Sequence, residues 1–234
     1  MIVVYNVFNV AKTIRKSLLS ILPYVNKVIV VDGAYKRFPH KKKSGASTDG
    51  TKKIFRRLCK SKLVWVSQRK PKSQVAKKNF LFKHIPKGKW FLRLAGDEVI
   101  TGKVAKAFKF AESSKFTNIG VPIKNFHPVW YGYKVRYVWN HVYIHLSPPI
   151  PRKKWGSLEW KSYFGVGNRI VKKQRGLHFR GHHSTMFAGK KLMRVQNIVK
   201  NLLITNMPHK VGWERWHQKI KYKKKRNLEQ DFEG

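Results

Sequence analysis

Val28-Ile29-Val30-Val31-Asp32-Gly33 is a run of four branched apolar residues closed by an acid and a glycine. A short β-branched run bounded by turn residues reads as a strand buried on both faces. Its surroundings decide the fold. Upstream, Ile2-Val3-Val4-Tyr5 reads as another strand, and Ile14, Leu18, Ile21 and Leu22 recur at helical spacing until Pro23 ends the pattern. Downstream come a loop over 33–48, a helix over 49–60, a strand over 63–66, a helix over 73–84, a strand over 90–94, a helix over 102–112 and a strand over 119–123. Strands alternating with helices predict βαβ units and an α/β fold, with a mostly parallel, Rossmann-like sheet flanked by helices.

The charge is lopsided. Fifty-two Lys and Arg stand against ten Asp and Glu, for a formal charge of +42 over 234 residues. Such a chain attracts phosphates, nucleic acid or an acidic membrane surface. A carboxylate in it is a scarce group. Asp32, Asp97 and Glu98 nevertheless fall where predicted strands end, and Asp49 sits in the turn Ser47-Thr48-Asp49-Gly50-Thr51. In open α/β sheets ligands bind beyond the carboxyl ends of strands. Acids there point to a metal ion or a sugar hydroxyl. Cys59 is the single cysteine, which excludes disulfides within the chain and cysteine-rich zinc sites. The start of the chain reads as a strand, with no basic leader of a signal peptide, and no apolar run reaches the ~18 residues of a spanning helix. These features predict a cytoplasmic protein, soluble or peripheral on a membrane.

The texture changes after Pro122. Trp130, Tyr131, Tyr133, Tyr137, Trp139, Tyr143, Trp155, Trp160, Tyr163 and Phe164 crowd residues 126–170, with prolines at 148, 149 and 151. This stretch reads as strands and loops forming either a second layer of core or an aromatic platform for a sugar acceptor. The expected organisation is an α/β half over 1–125, a second half of the same domain over 126–210, and a basic C-terminal helix and tail over 211–234. In that helix Trp213, Trp216 and Ile220 form one stripe beside Lys219, Lys221, Lys223, Lys224, Lys225 and Arg226. It suits attachment to anionic lipid, or packing on the catalytic domain.

Four segments together resemble family 2 glycosyltransferases, whose nucleotide-sugar domain has the GT-A fold. They are Asn9-Val10-Ala11-Lys12-Thr13-Ile14, Val28–Gly33, Ser47–Thr51 and Trp90-Phe91-Leu92-Arg93-Leu94-Ala95-Gly96-Asp97-Glu98. The resemblance covers roughly residues 1–125, and it implies a nucleotide-sugar half there and an acceptor-side half of the same domain over 126–210. It implies a metal-dependent, hexosyltransferase-type enzyme, inverting, that moves a sugar from a nucleoside diphosphate sugar to a glycan or lipid-linked acceptor. By position it implies donor contacts from Asn9, Asp32, Asp49 and Asp97, with Asp97 and Glu98 at a Mg²⁺ or Mn²⁺ ion. His182 or His183, in Gly181-His182-His183-Ser184, matches a late metal or diphosphate histidine. His209 and Arg215 match a later diphosphate-contacting stretch. Two motif positions depart from the family: Val10 stands where it has Glu, and Ala95 where it has the first acid of Asp-x-Asp.

The chemistry agrees with this reading. A departing diphosphate gathers negative charge, which a hard divalent ion neutralises, and Arg93 or the lysines of the 33–46 loop add to it. An inverting transfer also needs a base. Glu159, in the aromatic loop 155–160, is the candidate. Asp49 has a second reading, as a helix N-cap. A nucleic-acid-binding basic protein is the alternative from another class. Its binding would be non-specific, because no helix-turn-helix, zinc-finger or RNP-type pattern accompanies the charge. A nucleotidyltransferase would carry a glycine-rich loop after the first strand, and Asn6-Val7-Phe8-Asn9-Val10 has no glycine. An inactive glycosyltransferase-like scaffold is the remaining alternative.

Overall fold

The computed structural model describes residues 1–34, 44–67, 73–128, 135–138, 141–144, 160–180 and 186–206. The chain opens with β1 (Ile2–Val7), α1 (Ala11–Ile21), β2 (Lys27–Asp32), α2 (Thr51–Cys59), β3 (Leu63–Ser67), α3 (Gln74–Lys83) and β4 (Trp90–Leu94). Then come β5 (Glu98–Gly102), α4 (Val104–Ser113) and the long β6 (Asn118–Pro128). A hairpin of β7 (Val135–Val138) and β8 (His141–Ile144) precedes the thirteen-residue β9 (Trp160–Lys172). Short strands follow: β10 (Leu177–Phe179), β11 (Met186–Ala188), β12 (Lys191–Leu192), β13 (Asn197–Ile198) and β14 (Leu202–Asn206).

One mixed sheet organises the molecule, in the order β3-β2-β1-β4-β9-β6-β14-β5, with β13 also pairing β6. The first four strands are parallel, as the βαβ alternation predicts. Beyond β4 the sheet turns mixed. β9 runs antiparallel to both β4 and β6, and β14 lies parallel to β6 and antiparallel to β5. β6 crosses residue 125, and β9 and β14 complete the sheet begun by the first half of the chain.

Alternation along the parallel strands divides the core. Val3, Tyr5, Val7, Val28 and Val30 face Ile14, Leu18 and Ile21 of α1 and Phe55 of α2. Ile2, Val4, Ile29 and Val31 face Leu81 and Phe82 of α3 together with Phe179 and Met186. Both faces are covered, which is why these strands read as continuous apolar runs rather than alternating ones. Helix α1 stops at Ile21 and continues as a 3₁₀ turn over Leu22–Tyr24 that holds Pro23 early, where a missing N–H costs nothing. Asn79 in α3 exchanges hydrogen bonds with Phe179, donating to its carbonyl and accepting from its N–H, and so ties β10 over the helix. Among the described residues no helix is long and apolar enough to cross a membrane.

Candidate active site

The carboxyl end of β1 is built by a reciprocal clamp. Val7 ends the strand, and Asn9 turns the chain into α1 with φ +48°, a left-handed value that Asn tolerates. Helix α1 has no side-chain cap of its own. Its leading N–H groups are taken by the Ser47–Thr51 turn instead. Asn9 N–H donates to Ser47 Oγ, Val10 N–H to Thr51 Oγ1 and Ala11 N–H to Asp49 Oδ2, each at 2.8 Å. Thr48 N–H returns to Asn9 Oδ1 at 2.8 Å. Asp49 also accepts from Thr51 N–H and from Thr51 Oγ1. Its charge sits at the positive end of the α1 dipole. Asn9 and Asp49 thus stand at the strand end, joined to each other's loops.

Asp32, 2% exposed at the end of β2, is held by the same turn. It accepts from Ser47 N–H at 3.1 Å and from Ser47 Oγ at 2.5 Å. Both oxygens are engaged, as a buried carboxylate requires. A base or ribose would share this carboxylate with Ser47. Beneath it the buried Lys77 of α3 donates to the carbonyls of Val7 and Gly33, pinning the ends of β1 and β2 together.

The Ala95-Gly96-Asp97 turn leads from β4 into β5. It packs on the β1–α1 turn through Gly96, where a Cβ would stand 2.8 Å from Val10 Cγ1. Val10 is 4% exposed and fills the space that Gly96 leaves. Glu98 does not stand beside Asp97 as a second open acid. It begins β5, accepts from Ala95 N–H at 2.7 Å, and forms a two-point ion pair with Arg169 of β9 at 2.5 and 3.0 Å. Metal binding at Glu98 would require this pair to open. Asp97 is half-buried and has no hydrogen bond or ion pair among the described residues. Those residues contain no cluster of three or more His, Cys, Asp or Glu. Glu159, His182, His183, His209, Arg215 and the C-terminal helix lie outside the described residues.

A cleft of about 340 Å³ opens on the α3 face beside this turn, shared by Asn6, Lys78, Arg93, Glu98, Arg169 and Phe179 among others. Arg93 leans on the Phe179 ring at 4.7 Å and donates to Asn168 O at 3.1 Å. Loss of water and then the charge of Arg169 pull Arg93 down to about 9, against the opposing pull of Glu98. Sequence reading had named Arg93 but not Lys77, Lys78 or Arg169. Lys77 carried a signal, being a cation at a position facing the sheet. Arg169 carried none, because its partner lies 71 positions away.

No family model matches the chain, and no curated protein matches it. Solved structures give distant likenesses. TarS from S. aureus aligns at TM-score 0.41 and 20% identity, over 53% of this chain and 21% of that one. A TarS 1–349 structure in complex with UDP gives 0.41 and 21%, over 58% and 38%. A putative glucose-1-phosphate thymidylyltransferase from Bacillus anthracis gives 0.37 and 9%, over 74% and 70%. The chain therefore spans well under half the length of these TarS structures. Scores of this size identify neither a family nor an activity.

Proposed function

We propose that the protein is a glycosyltransferase that uses a nucleoside diphosphate sugar. The observation that carries the reading is Asp97, an open carboxylate on a turn that packs against the end of β1, where the loops after β1 and β2 are clasped. The sequence motifs that resemble family 2 enzymes meet around that point. A single carboxylate fits Mg²⁺ or Mn²⁺, because magnesium in particular is held by one or two carboxylates plus substrate phosphates. When bound, such an ion would neutralise charge on the departing diphosphate. Asn9, Asp32 and Asp49 set the backbone of the donor shelf, and in this reading the donor's ribose and base lie against it. Glu159 is retained as the base of an inverting transfer.

A membrane-held acceptor is favoured by one surface. Leu192, Val195 and Ile198 are 42%, 36% and 40% exposed among the exposed cations Lys190, Lys191, Arg194 and Lys200. Hydrogen bonds from Thr117, Asn118 and Val199 fix this segment to β6, so the apolar side chains are held outward. Apolar groups among cations suit anionic lipid.

The test is a screen of nucleotide sugars with Mn²⁺ and with Mg²⁺, reading release of the nucleoside diphosphate, on wild type and Asp97→Asn. The variant should keep its melting temperature and lose metal-dependent nucleotide binding and turnover. A folded Asp97→Asn protein with undiminished turnover sinks the assignment.

A further inference from the structure

The cleft under α3 holds more positive charge than the fold can use. Arg169 has Glu98 as its counter-ion. Arg93 has none among the described residues: its partners are the carbonyl of Asn168, the sulfur of Met186 at 3.4 Å and the face of Phe179. These satisfy part of a five-donor fork, and no carboxylate contacts it among the described residues. Lys78 lines the same space, with its ammonium 5.0 Å from the centre of the Phe179 ring. Arg93 and Arg169 thus have the one carboxylate of Glu98 between them among the described lining residues. A cation removed from water without an anion is costly, so folding alone gives no reason to gather these.

A second, independent feature lies in the same wall. Asn168 Oδ1 is buried and accepts no hydrogen bond. Buried polar atoms are nearly always partnered, and an exception beside a cleft signals a missing donor. Asn168 belongs to β9, which is clamped between β4 and β6, so the amide is held by a central strand and not by a loop.

We infer that this cleft is an oxyanion site, which takes a phosphate group between Arg93 and Arg169 while Asn168 Oδ1 accepts from a hydroxyl or N–H of the same molecule. Phosphate fits better than carboxylate, because a phosphate monoester carries about −1.5 to −2 at neutral pH and offers three acceptor oxygens, to the Arg93 guanidinium and to the Arg169 N–H groups that Glu98 does not take. The site stands without the transferase reading. Only the source of the phosphate rests on it: either the donor's diphosphate or a phosphorylated acceptor.

The experiment is calorimetric titration at fixed ionic strength with three probes: inorganic phosphate, glucose 1-phosphate and uridine diphosphate. Wild type is compared with Arg93→Met, with Gln74→Glu and Gln74→Lys, and with Lys190→Gln. Gln74 is exposed and lines the cleft, so its variants test the field without disturbing the core. Glucose 1-phosphate should bind saturably and more tightly than inorganic phosphate, because it brings hydroxyls for Asn168. Arg93→Met should weaken it by about tenfold or more, the scale of one charge-assisted hydrogen bond. Gln74→Glu should weaken it and Gln74→Lys strengthen it, each several-fold, while Lys190→Gln leaves it unchanged. Equal weakening by Lys190→Gln, or identical behaviour of the two Gln74 variants, would overturn the site in favour of diffuse surface charge. Competition between uridine diphosphate and glucose 1-phosphate assigns the cleft to the donor; simultaneous binding assigns it to the acceptor. Intact phosphate binding without any sugar transfer would refute the transferase reading and leave the cleft standing.

Discussion

Gly96→Ala tests whether the two loops of the site are in contact. Gly96 does not occupy the left-handed region, so alanine is acceptable to the backbone and only the new methyl matters. That methyl would lie 2.8 Å from Val10 Cγ1, 2.9 Å from its Cβ and 3.0 Å from its Cγ2. Carbon atoms rest at roughly 3.5–4.0 Å, so one side must retreat by most of an ångström. Val10 is poorly placed to do so. Its N–H is held by Thr51 Oγ1, and its carbonyl accepts from Thr13 and Ile14 N–H. Overpacking of this kind costs about 1–3 kcal/mol. For a chain of this size that lowers the melting temperature by about 2–12 °C.

The double-mutant cycle makes the test sharp. Val10→Ala alone removes two buried methyls and should cost about 1–3 kcal/mol. In Gly96→Ala/Val10→Ala the new methyl enters the space that the lost ones vacate. The pair should then cost less than the sum of the singles by at least about 1 kcal/mol, well outside the ~0.5 kcal/mol scatter of independent sites. Urea unfolding of the four proteins, followed by tryptophan fluorescence, supplies the numbers. Additivity within that scatter refutes the contact, and with it the view that Val10 seats the Ala95–Asp97 turn.

Two further outcomes follow from the same geometry. Asp49→Ala strips the acceptor from the first N–H of α1 and from Thr51, so it should destabilise by about 0.5–2 kcal/mol, whereas Asp49→Asn should cost less; loss of donor binding in Asp49→Ala with unchanged stability would favour direct ligand contact over the clamp. Burial pushes the Cys59 thiol from the usual 9 up to about 12, with Lys62 pulling weakly the other way. A thiol raised on folding contributes stability that is present below pH 9 and is lost as the pH rises towards 12. Alkylation at pH 8 should therefore proceed only through unfolding and accelerate with urea; rapid labelling of the native protein would place Cys59 in a more open setting.

The half of the sheet made from local units was legible in the sequence. β1, β2, β3 and β4 fall on the expected apolar runs, and α1 to α4 lie within two residues of the expected helix starts apart from α1, whose start the sequence left unmarked. Of the antiparallel half only β6 was legible, its expected run over 119–123 lying within Asn118–Pro128. β5 begins on Glu98, where the sequence reads as the end of the strand over 90–94. β9 holds Gly165 and Gly167 among aromatic and polar residues, so its period is masked, and its register on β4 and β6 is a long-range choice that no local pattern carries. The same limit applies to the site. Asp32, Asp49 and Asp97 could be located at strand ends and turns from position alone. What each carboxylate touches depends on loops that meet only in three dimensions.

Those contacts give the scarcity of acids a sharper meaning. Five carboxylate side chains lie within the described residues. Asp32 is taken up by Ser47, Asp49 by Ala11 and Thr51, Glu98 by Arg169, and Glu112 pairs with the N-terminal ammonium at 3.4 Å. Each of the four has a partner within the chain. Asp97 has none among the described residues, although 52 cations crowd the chain and a surface partner would be easy to supply. A surface ion pair is worth about 0–1 kcal/mol, so leaving one unmade sacrifices little stability. A carboxylate kept free of cations retains its lone pairs for a ligand that the protein itself does not contain. That separates Asp97 from its neighbour Glu98. The two adjacent acids, equivalent as letters, divide into one that closes the turn and one that the turn presents.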